Sequence, residues 1–595
     1  MEDSRDHGEF TSSCQDRPAC IVSGMREVQF RGEDKAFGLG KAAGACASLV
    51  LVVCSCAAQG KLETSFGPKG LERVSYAGEQ LLDVDAHPED EFHIWHMRLT
   101  DLEGRVRSDG AYGWGETNQG REWDSVSKAW RYQFPWGTIR AQYRQVGDTL
   151  DVKVIENNKP SSGVVFYGAT VYPMAMHVSG RVTDAAIVDS EETPAVSLAR
   201  WGKVSVAAIV ADSNSGIWSG WQQRGPALQA IVSQTLPDAL PASAARRERG
   251  LRPGETASFT LSLRFGQETR RVENVAADAF ESFAARWPAG ATWQDRRLIG
   301  TVFLASSPQG EKTRPGGFPQ NPRRYFNDAG LAVRGGDTLQ RRVLEQATEV
   351  VANLKRMQAQ GAITWDIEGE QYPQDTSYVC SPDKIAELAP EMEEPVRTGS
   401  YKGLKLDDAY FKIIHDAGFR VGICVRPQRF TTFADGSARQ VSLDRGQVVA
   451  ELKRKIGFAH QRWGATLFYL DSMVEADGRT LPAAVLEEVA AAFPDCLLIP
   501  EQSTPRSYRM SAPFLSFLFH GDTGSTQWVR ALYPHAFAVN LVNDADGAKL
   551  AAHRAQLVDS VRHGDVLMVH VDHWHRNNDE VLQIYKEAGL AQRER

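Results

Sequence analysis

Two acidic residues stand 30 positions apart, each directly after a short apolar run: Asp471 follows residues 466–470, and Glu501 follows residues 496–500. A carboxylate at such a position is costly to desolvate unless it is paired or takes part in chemistry. Two carboxyl groups about 5 to 5.5 Å apart can cleave a glycosidic bond, because one attacks the anomeric carbon while the other protonates the leaving oxygen. Their shared field raises the pKa of the acid and leaves the nucleophile ionised. The alternative is that either acid only forms a salt bridge, for example to Arg426.

The two apolar runs belong to a repeating pattern that begins after about Gly290 and predicts strands that alternate with helices. Unbroken apolar runs are typical of buried parallel strands, and they occur at 298–305, 362–365, 420–425, 466–470, 496–499, 514–519, 536–541 and 566–571. Helical periodicity occupies 339–360, 406–418, 447–463, 481–493 and 547–563, and it is poorest after the first and sixth runs. Eight strand–helix units fit a (β/α)8 TIM barrel of about 250 residues plus insertions. A doubly wound open sheet is the rival, but no GxGxxG follows the first run.

Active sites of such barrels lie where the strands end, so polar residues there are candidates for substrate binding. Carboxylates can bind sugar hydroxyls, Arg426 can contact the nucleophile, and an insertion at 369–402 can form a lid or rim. For each of these, a supporting or solvated loop residue is the alternative interpretation. The candidates are Trp365, Asp366, Glu368, Arg426, Gln428, Asp522, His573 and Trp574.

Residues 59–270 have a different pattern, which predicts an all-β supersandwich in front of the barrel. Short alternating segments at 149–155, 164–167, 204–210 and 257–264 stand between Gly, Pro, Asn and Asp turns. Aromatic residues could stack on sugars but more often fill a core; they are Trp95, Tyr112, Trp114, Trp123, Trp130 and Trp136. Residues 271–297 predict a linker helix, and 298–595 form the predicted catalytic barrel.

The first 58 residues predict an extension that directs export. Residues 42–58 carry no charge and suit the core of a signal peptide, with cleavage before Gln59. Val-Cys-Ser-Cys at 53–56 resembles a bacterial lipobox, in which Cys56 would carry a lipid anchor. A buried helix is the alternative. The expected location is periplasmic, secreted or lipid-anchored at the cell surface.

The segments Phe-Tyr-Leu-Asp-Ser-Met at 468–473 and Pro-Glu-Gln at 500–502, with a sandwich before a barrel, resemble retaining α-glycosidases. The layout is most similar to glycoside hydrolase families 101 and 129, the α-N-acetylgalactosaminidases. That resemblance implies Asp471 as nucleophile, Glu501 as acid/base, and an α-linked galactose- or N-acetylgalactosamine-like substrate. Families 27, 31 and 36 are similar too, but they place the acid on strand six. In that case Asp522 would be the acid and Glu501 a hydroxyl ligand.

Charge and residue usage limit the other function classes. Lys and Arg total 67 against 75 Asp and Glu, a net charge of −8, which disfavours a nucleic-acid binder and fits a carbohydrate partner. Histidines near strand eight suggest a metal-dependent barrel hydrolase as a rival, although the first strand ends without a His-x-His pair. A non-catalytic sugar-binding protein is a third class. The metal-dependent hydrolase would use His570, Asp572, His573 and His575. For the glycosidase we expect no cofactor and no metal.

Overall fold

The computed structural model describes residues 61–590, except for 88–91, 112–119, 178–191, 193–195, 202–203, 212–217, 225–226, 234–249, 268–271, 291–292, 305–335, 366, 369–378, 434–437, 477 and 543–546. The chain divides into two compact units between Ala279 and Phe280. The predicted signal segment at 42–58 lies outside the described residues. Among those that are described, no helix has the length and apolar character needed to cross a bilayer.

The unit before Phe280 contains three antiparallel sheets. Three strands form the first sheet: β1 Leu62–Gly67, β2 Gly70–Tyr76 and β3 Glu79–Asp83. The other strands are β4 His93–Asp101, β5 Val106–Ala111, β6 Gly120–Asp124, β7 Ala129–Phe134, β8 Gly137–Val146, β9 Thr149–Asn158, β10 Val164–His177, β11 Val196–Trp201, β12 Val204–Ala211, β13 Trp218–Arg224, β14 Ala227–Ser233 and β15 Thr256–Gly266. They form a five-stranded sheet, β13-β14-β10-β4-β5, and a seven-stranded sheet, β11-β12-β15-β9-β8-β7-β6.

One core joins these sheets, because alternate residues of each strand point inward. On β9, Val152 and Val154 are buried while Lys153 between them is exposed. Trp130 and Trp136 belong to this core, and Trp136 stacks on Phe166 at 4.3 Å between ring centroids. Their burial leaves them unable to stack on a sugar. Within the aromatic set, Tyr112 and Trp114 lie outside the described residues.

The unit from Phe280 onward contains an eight-stranded parallel sheet, as the apolar runs predict. Its strands are β16 Ile299–Phe303, β17 Gly361–Trp365, β18 Arg420–Val425, β21 Leu467–Leu470, β22 Leu497–Pro500, β23 Phe514–Ser516, β24 Val539–Leu541 and β25 Val566–His570; a hairpin, β19 Arg429–Thr432 and β20 Ala438–Val441, follows β18. The order is β22-β21-β18-β17-β16-β25-β24-β23. Between its two ends, the Ala512 amide donates to the Leu498 carbonyl at 2.9 Å. The sheet is therefore nearly closed and fits a TIM barrel.

Helices cover the outside of this barrel and agree with the sequence pattern. They are α2 Gly336–Arg356, α3 Ile385–Leu388, α4 Leu406–Asp416, α5 Arg445–Trp463, α6 Ala483–Ala492, α7 Phe517–His520, α8 Gln527–Leu532, α9 Gly547–Arg562 and α10 Asn578–Ala588, with 3-10 turns at Pro382–Lys384, Pro390–Glu393 and Pro505–Arg509. A 3-10 turn at Val272–Ala276 and α1 Ala277–Arg286, which crosses the unit boundary, precede them in the chain. The sixth predicted strand, 514–519, was too long. Its second half is α7, where the Phe517 amide donates to Asn540 Oδ1 at 3.1 Å.

Two apolar layers hold the barrel together. One lies between strands and helices, and the other fills the interior with residues from neighbouring strands. In the interior, Trp365 lies 5.0 Å from the rings of both Phe303 and Tyr469, centroid to centroid. These aromatic side chains close the barrel beneath the carboxyl ends of the strands.

Candidate active site

The two candidate acids occupy equivalent positions at the carboxyl end of adjacent strands. The backbone ladder runs one residue past each strand: the Asp471 amide donates to the Val425 carbonyl and the Glu501 amide to the Leu470 carbonyl, both at 2.9 Å. Asp471 is 7% exposed and Glu501 is half-buried. The sheet thus presents both side chains on the same edge, next to each other.

A hydrogen bond joins the carboxyl groups of Asp471 and Glu501. Ser472 connects them a second time, because its amide donates to Glu501 Oε2 at 2.7 Å and its hydroxyl donates to Asp471 Oδ1 at 2.7 Å. The Ser472 bridge keeps the two carboxyl groups near each other, as a retaining pair about 5 to 5.5 Å apart requires.

Ser472 adopts a left-handed backbone conformation, with φ 55°, which is unfavourable for a residue other than glycine. Three neighbouring contacts hold the turn. Gln428 Nε2 donates to the Ser472 carbonyl at 3.0 Å, the Val474 amide donates to the same carbonyl at 2.7 Å, and the Met473 amide donates to Gln502 Oε1 at 2.8 Å. The strained turn is what aims the Ser472 amide at Glu501 and its hydroxyl at Asp471.

Arg426 supplies a positive charge to one side of the acidic pair. Its Nη2 lies 2.8 Å from Asp471 Oδ2, and its Nη1 donates to Gln440 Oε1 at 3.0 Å. Burial disfavours the charged form of Arg426, but the charge and hydrogen bond of Asp471, together with Cys380 and Cys424, outweigh burial and raise the pKa of Arg426. The ion pair places a positive charge beside one carboxylate oxygen of Asp471, and the Ser472 hydroxyl donates to the other.

The same pair favours a neutral Glu501. Burial of its carboxyl group, with the Asp471 charge adding to it, raises the pKa of Glu501 from 4.5 to about 8, against the opposing hydrogen bond from Ser472. Glu501 therefore carries a proton at neutral pH and donates it toward Asp471. The site contains one proton donor and one carboxylate, the combination that general-acid and nucleophilic catalysis need.

A fully buried lysine underlies this arrangement. Lys455 on α5 donates to the backbone carbonyls of Arg426 at 2.9 Å and Gln428 at 2.7 Å, and lies 3.6 Å from Glu451. Burial lowers the pKa of Lys455 to about 8. Lys455 fixes the backbone from which Arg426 reaches Asp471 and Gln428 reaches Ser472.

Two of the strand-two candidates, Trp365 and Glu368, are buried. Trp365 is part of the barrel interior at 4% exposure, and Glu368, 1% exposed, accepts the Ser381 amide at 2.7 Å. Burial raises the pKa of Glu368 to about 7. Neither side chain presents a surface to a sugar in this conformation. Asp366 lies outside the described residues.

The strand-six and strand-eight candidates have partners of their own. Asp522 is half-buried, and its Oδ2 accepts the Ser516 amide at 3.3 Å. His573 Nδ1 lies 3.3 Å from Asp572 Oδ1, and this ion pair raises the pKa of His573. Trp574 packs beneath Arg356 and donates to Asp579 Oδ2 at 3.3 Å.

Two groups among the described residues bring three metal-ligating atoms within 4.8 Å of one another. One is Cys380, Cys424 and Asp471, and the other is His460, Asp495 and Cys496. The strand-eight histidines form no such group in the described part of the chain. His570 Nδ1 instead lies 3.1 Å from Thr301 Oγ1.

Sequence reasoning missed Ser472 and Lys455. A serine between an acid and a methionine gives no sign of a left-handed turn. The lysine could have been found, since it lies on the buried face of a helix, between Leu452 and Ile456 with Ala459 beyond; a charged residue on that face must have a local partner.

No protein-family model and no curated protein sequence matches the chain. Among solved structures, it is similar to an α-N-acetylgalactosaminidase, NagBb from Bifidobacterium bifidum, with 12% identity over 81% of this chain and 82% of the other and a TM-score of 0.43. It is also similar to the galactosidase domain of AgaSK, with 10% identity over 89% of this chain and 84% of the other and a TM-score of 0.35. A sulfoquinovosidase from E. rectale has 9% identity over 76% of this chain and 68% of its own, with a TM-score of 0.36. Scores at this level carry no weight for fold or function, so both rest on the residues of this chain.

Proposed function

We propose that the chain is a glycoside hydrolase in which Asp471 is the nucleophile and Glu501 the acid/base. The observation that carries this proposal is the hydrogen-bonded pair of carboxyl groups on adjacent strand ends, with Arg426 on one acid and the Ser472 amide on the other. Glu501 holds the proton that a departing sugar oxygen needs, and Asp471 has its charge stabilised for attack on the anomeric carbon.

The chemistry we propose is a retaining double displacement. Asp471 attacks the anomeric carbon while Glu501 gives its proton to the leaving oxygen; Glu501 then takes a proton from the water that releases the sugar. An inverting pair needs a water between carboxyl groups about 6.5 to 9.5 Å apart. The Ser472 bridge between Asp471 and Glu501 holds the two carboxyl groups near each other, which favours the shorter separation of a retaining pair.

The substrate and location are further parts of the proposal. An α-linked galactose- or N-acetylgalactosamine-like sugar follows from the resemblance of residues 468–473 and 500–502 to α-glycosidases. Export across a membrane, with lipid attachment at Cys56 as one form of it, follows from the uncharged segment at 42–58. The partner would be an oligosaccharide, glycoconjugate or polysaccharide.

A matched pair of variants tests the assignment of the acid. Glu501→Ala and Asp522→Ala are assayed with aryl α-glycosides of an activated leaving group, with and without azide. We expect azide to restore turnover of Glu501→Ala and to give a glycosyl azide of retained configuration, while Asp522→Ala needs no rescue. Rescue of Asp522→Ala alone would move the acid to strand six, with Glu501 as a hydroxyl ligand.

The anomeric outcome is tested on the wild-type protein. NMR of the first-formed sugar should show the α anomer from an α-glycoside. A first-formed β anomer would exclude the double displacement, and failure to cleave any of a panel of α- and β-glycosides would remove the glycosidase proposal itself.

A further inference from the structure

Two buried thiols lie side by side next to the candidate nucleophile. Cys380 and Cys424 are 1% and 2% exposed, and their Sγ atoms are 3.1 Å apart. Cys424 is on β18, and Cys380 lies 44 positions earlier, just before the Pro382–Lys384 turn. Both side chains belong to the barrel interior.

We propose that Cys380 and Cys424 are a site of oxidative modification and form a disulfide by exchange with an oxidised low-molecular-weight thiol or a dithiol oxidase. The first cysteine thiolate attacks the disulfide of the oxidant and displaces one of its sulfurs as a thiolate. The second thiolate attacks the protein sulfur of the mixed disulfide and displaces the other. The protein loses two hydrogens, and the oxidant is reduced to two thiols.

The surroundings favour a covalent bond with little movement. A disulfide needs the two sulfurs about 1 Å closer than they stand. The Cys380 backbone is held in place, since its carbonyl accepts the Arg426 amide at 3.2 Å and the next amide, that of Ser381, donates to Glu368. Cys380 itself is in a left-handed conformation, with φ 47°. The segment therefore delivers one sulfur to the other from a fixed position.

A divalent cation is the competing occupant, because Asp471 completes a group of three ligating atoms within 4.8 Å. The Arg426 guanidinium, however, lies 2.8 Å from the Asp471 carboxylate and carries positive charge where the cation would bind. Repulsion between the two cations disfavours the metal. A disulfide has no charge and leaves the Arg426–Asp471 ion pair intact.

Burial also raises the pKa of the Cys424 thiol, so the thiolate is scarce once the barrel has closed. The exchange therefore belongs to folding, before the interior excludes the oxidant. The bond would close a ring from Cys380 to Cys424 and tie the segment that contacts Arg426 and Glu368 directly to β18. The inference does not depend on the glycosidase proposal.

The test uses the full chain, refolded with a mixture of reduced and oxidised glutathione. The folded protein is denatured in acid, alkylated with N-ethylmaleimide, digested, and mapped by mass spectrometry. We expect one linked pair of peptides, containing Cys380 and Cys424, lighter by two hydrogens than the sum of the free peptides. Cys496, which is half-buried, should be alkylated, and Cys496→Ser should keep the same linkage.

Several results would overturn the proposal: alkylation of both Cys380 and Cys424, linkage of either to one of the five cysteines in the first 56 residues, or zinc bound to the pair in the refolded protein. A second measurement covers the consequence for stability. Reduction should lower the thermal midpoint of the oxidised wild type by several degrees, whereas Cys380→Ala/Cys424→Ala should be insensitive to reductant. Should that variant fail to fold, the Cys496→Ser map alone decides.

Discussion

The barrel places buried acids at two regions of its carboxyl edge, and they differ in their neighbours. At the ends of β21 and β22, Asp471 contacts a second acid, Glu501. After β25, Asp572, 3% exposed, contacts an imidazole, that of His573. The acid pair shares a proton and pushes one pKa to about 8, whereas the acid–imidazole pair forms an ordinary ion pair. An acid after a buried strand is therefore not a candidate catalytic group by itself, and it becomes one when its neighbour is a second acid.

The largest difference between the two regions should appear in activity. Asp471→Asn removes the proposed nucleophile, and we expect kcat on an aryl α-glycoside to fall by about 10⁴-fold or more. Asp572→Asn, the matched control in the strand-eight region, should keep activity within about tenfold. If Asp572→Asn loses as much while its circular dichroism is unchanged, the assignment of the site to strands four and five is wrong.

The pH dependence separates the regions further. Glu501 loses its proton above about pH 8, so kcat/KM of the wild type should fall as the pH rises through about 8. Glu501→Gln should lower kcat/KM by about 10²- to 10⁴-fold and abolish that alkaline limb.

Glu368→Gln is the control for this profile, since the Glu368 pKa is also raised, to about 7, without contact to a second acid. The variant should leave the limb near pH 8 in place. If kcat/KM of the wild type instead falls near pH 7, and this fall disappears in Glu368→Gln, the proton donor is on strand two.

The smallest effect is expected from the acid–imidazole pair. The pKa of His573 is raised in the folded protein, so the pair adds stability below the ordinary pKa of about 6.5, and this contribution is lost as the pH rises through the folded value. Because the His573 side chain is 34% exposed, His573→Gln should cost less than about 1 kcal/mol at pH 5.5. Urea unfolding at pH 5.5 and pH 9 checks this, and an equal loss at both would contradict it.

The strands of the barrel could be predicted because buried parallel strands have unbroken apolar runs. The prediction for β18, 420–425, agrees at both ends. It was too long at 514–519, since a buried helix turn such as α7 is as apolar as a strand. The position of Asp471 and Glu501 followed from strand order alone, because consecutive strands of this barrel are neighbours.

Contacts between distant side chains could not be predicted in the same way. Trp365 was a candidate sugar platform from its residue type, but its place in the interior depends on Phe303 and Tyr469. Nothing in the sequence pairs Cys380 with Cys424 or turns Ser472 to the left-handed region. These features arise from packing between segments that are distant in the sequence.

The gap at the ends of the sheet bears on how a sugar enters. β21 has ladder partners on both sides, β18 and β22, but β22 has one only on the side of β21. Toward β23 the backbone link is the Ala512 amide on the Leu498 carbonyl. Moving Glu501 outward thus strains fewer backbone bonds than moving Asp471. In the proposed mechanism, Glu501 is thus the residue that moves when a sugar ring enters, while Asp471 keeps its position.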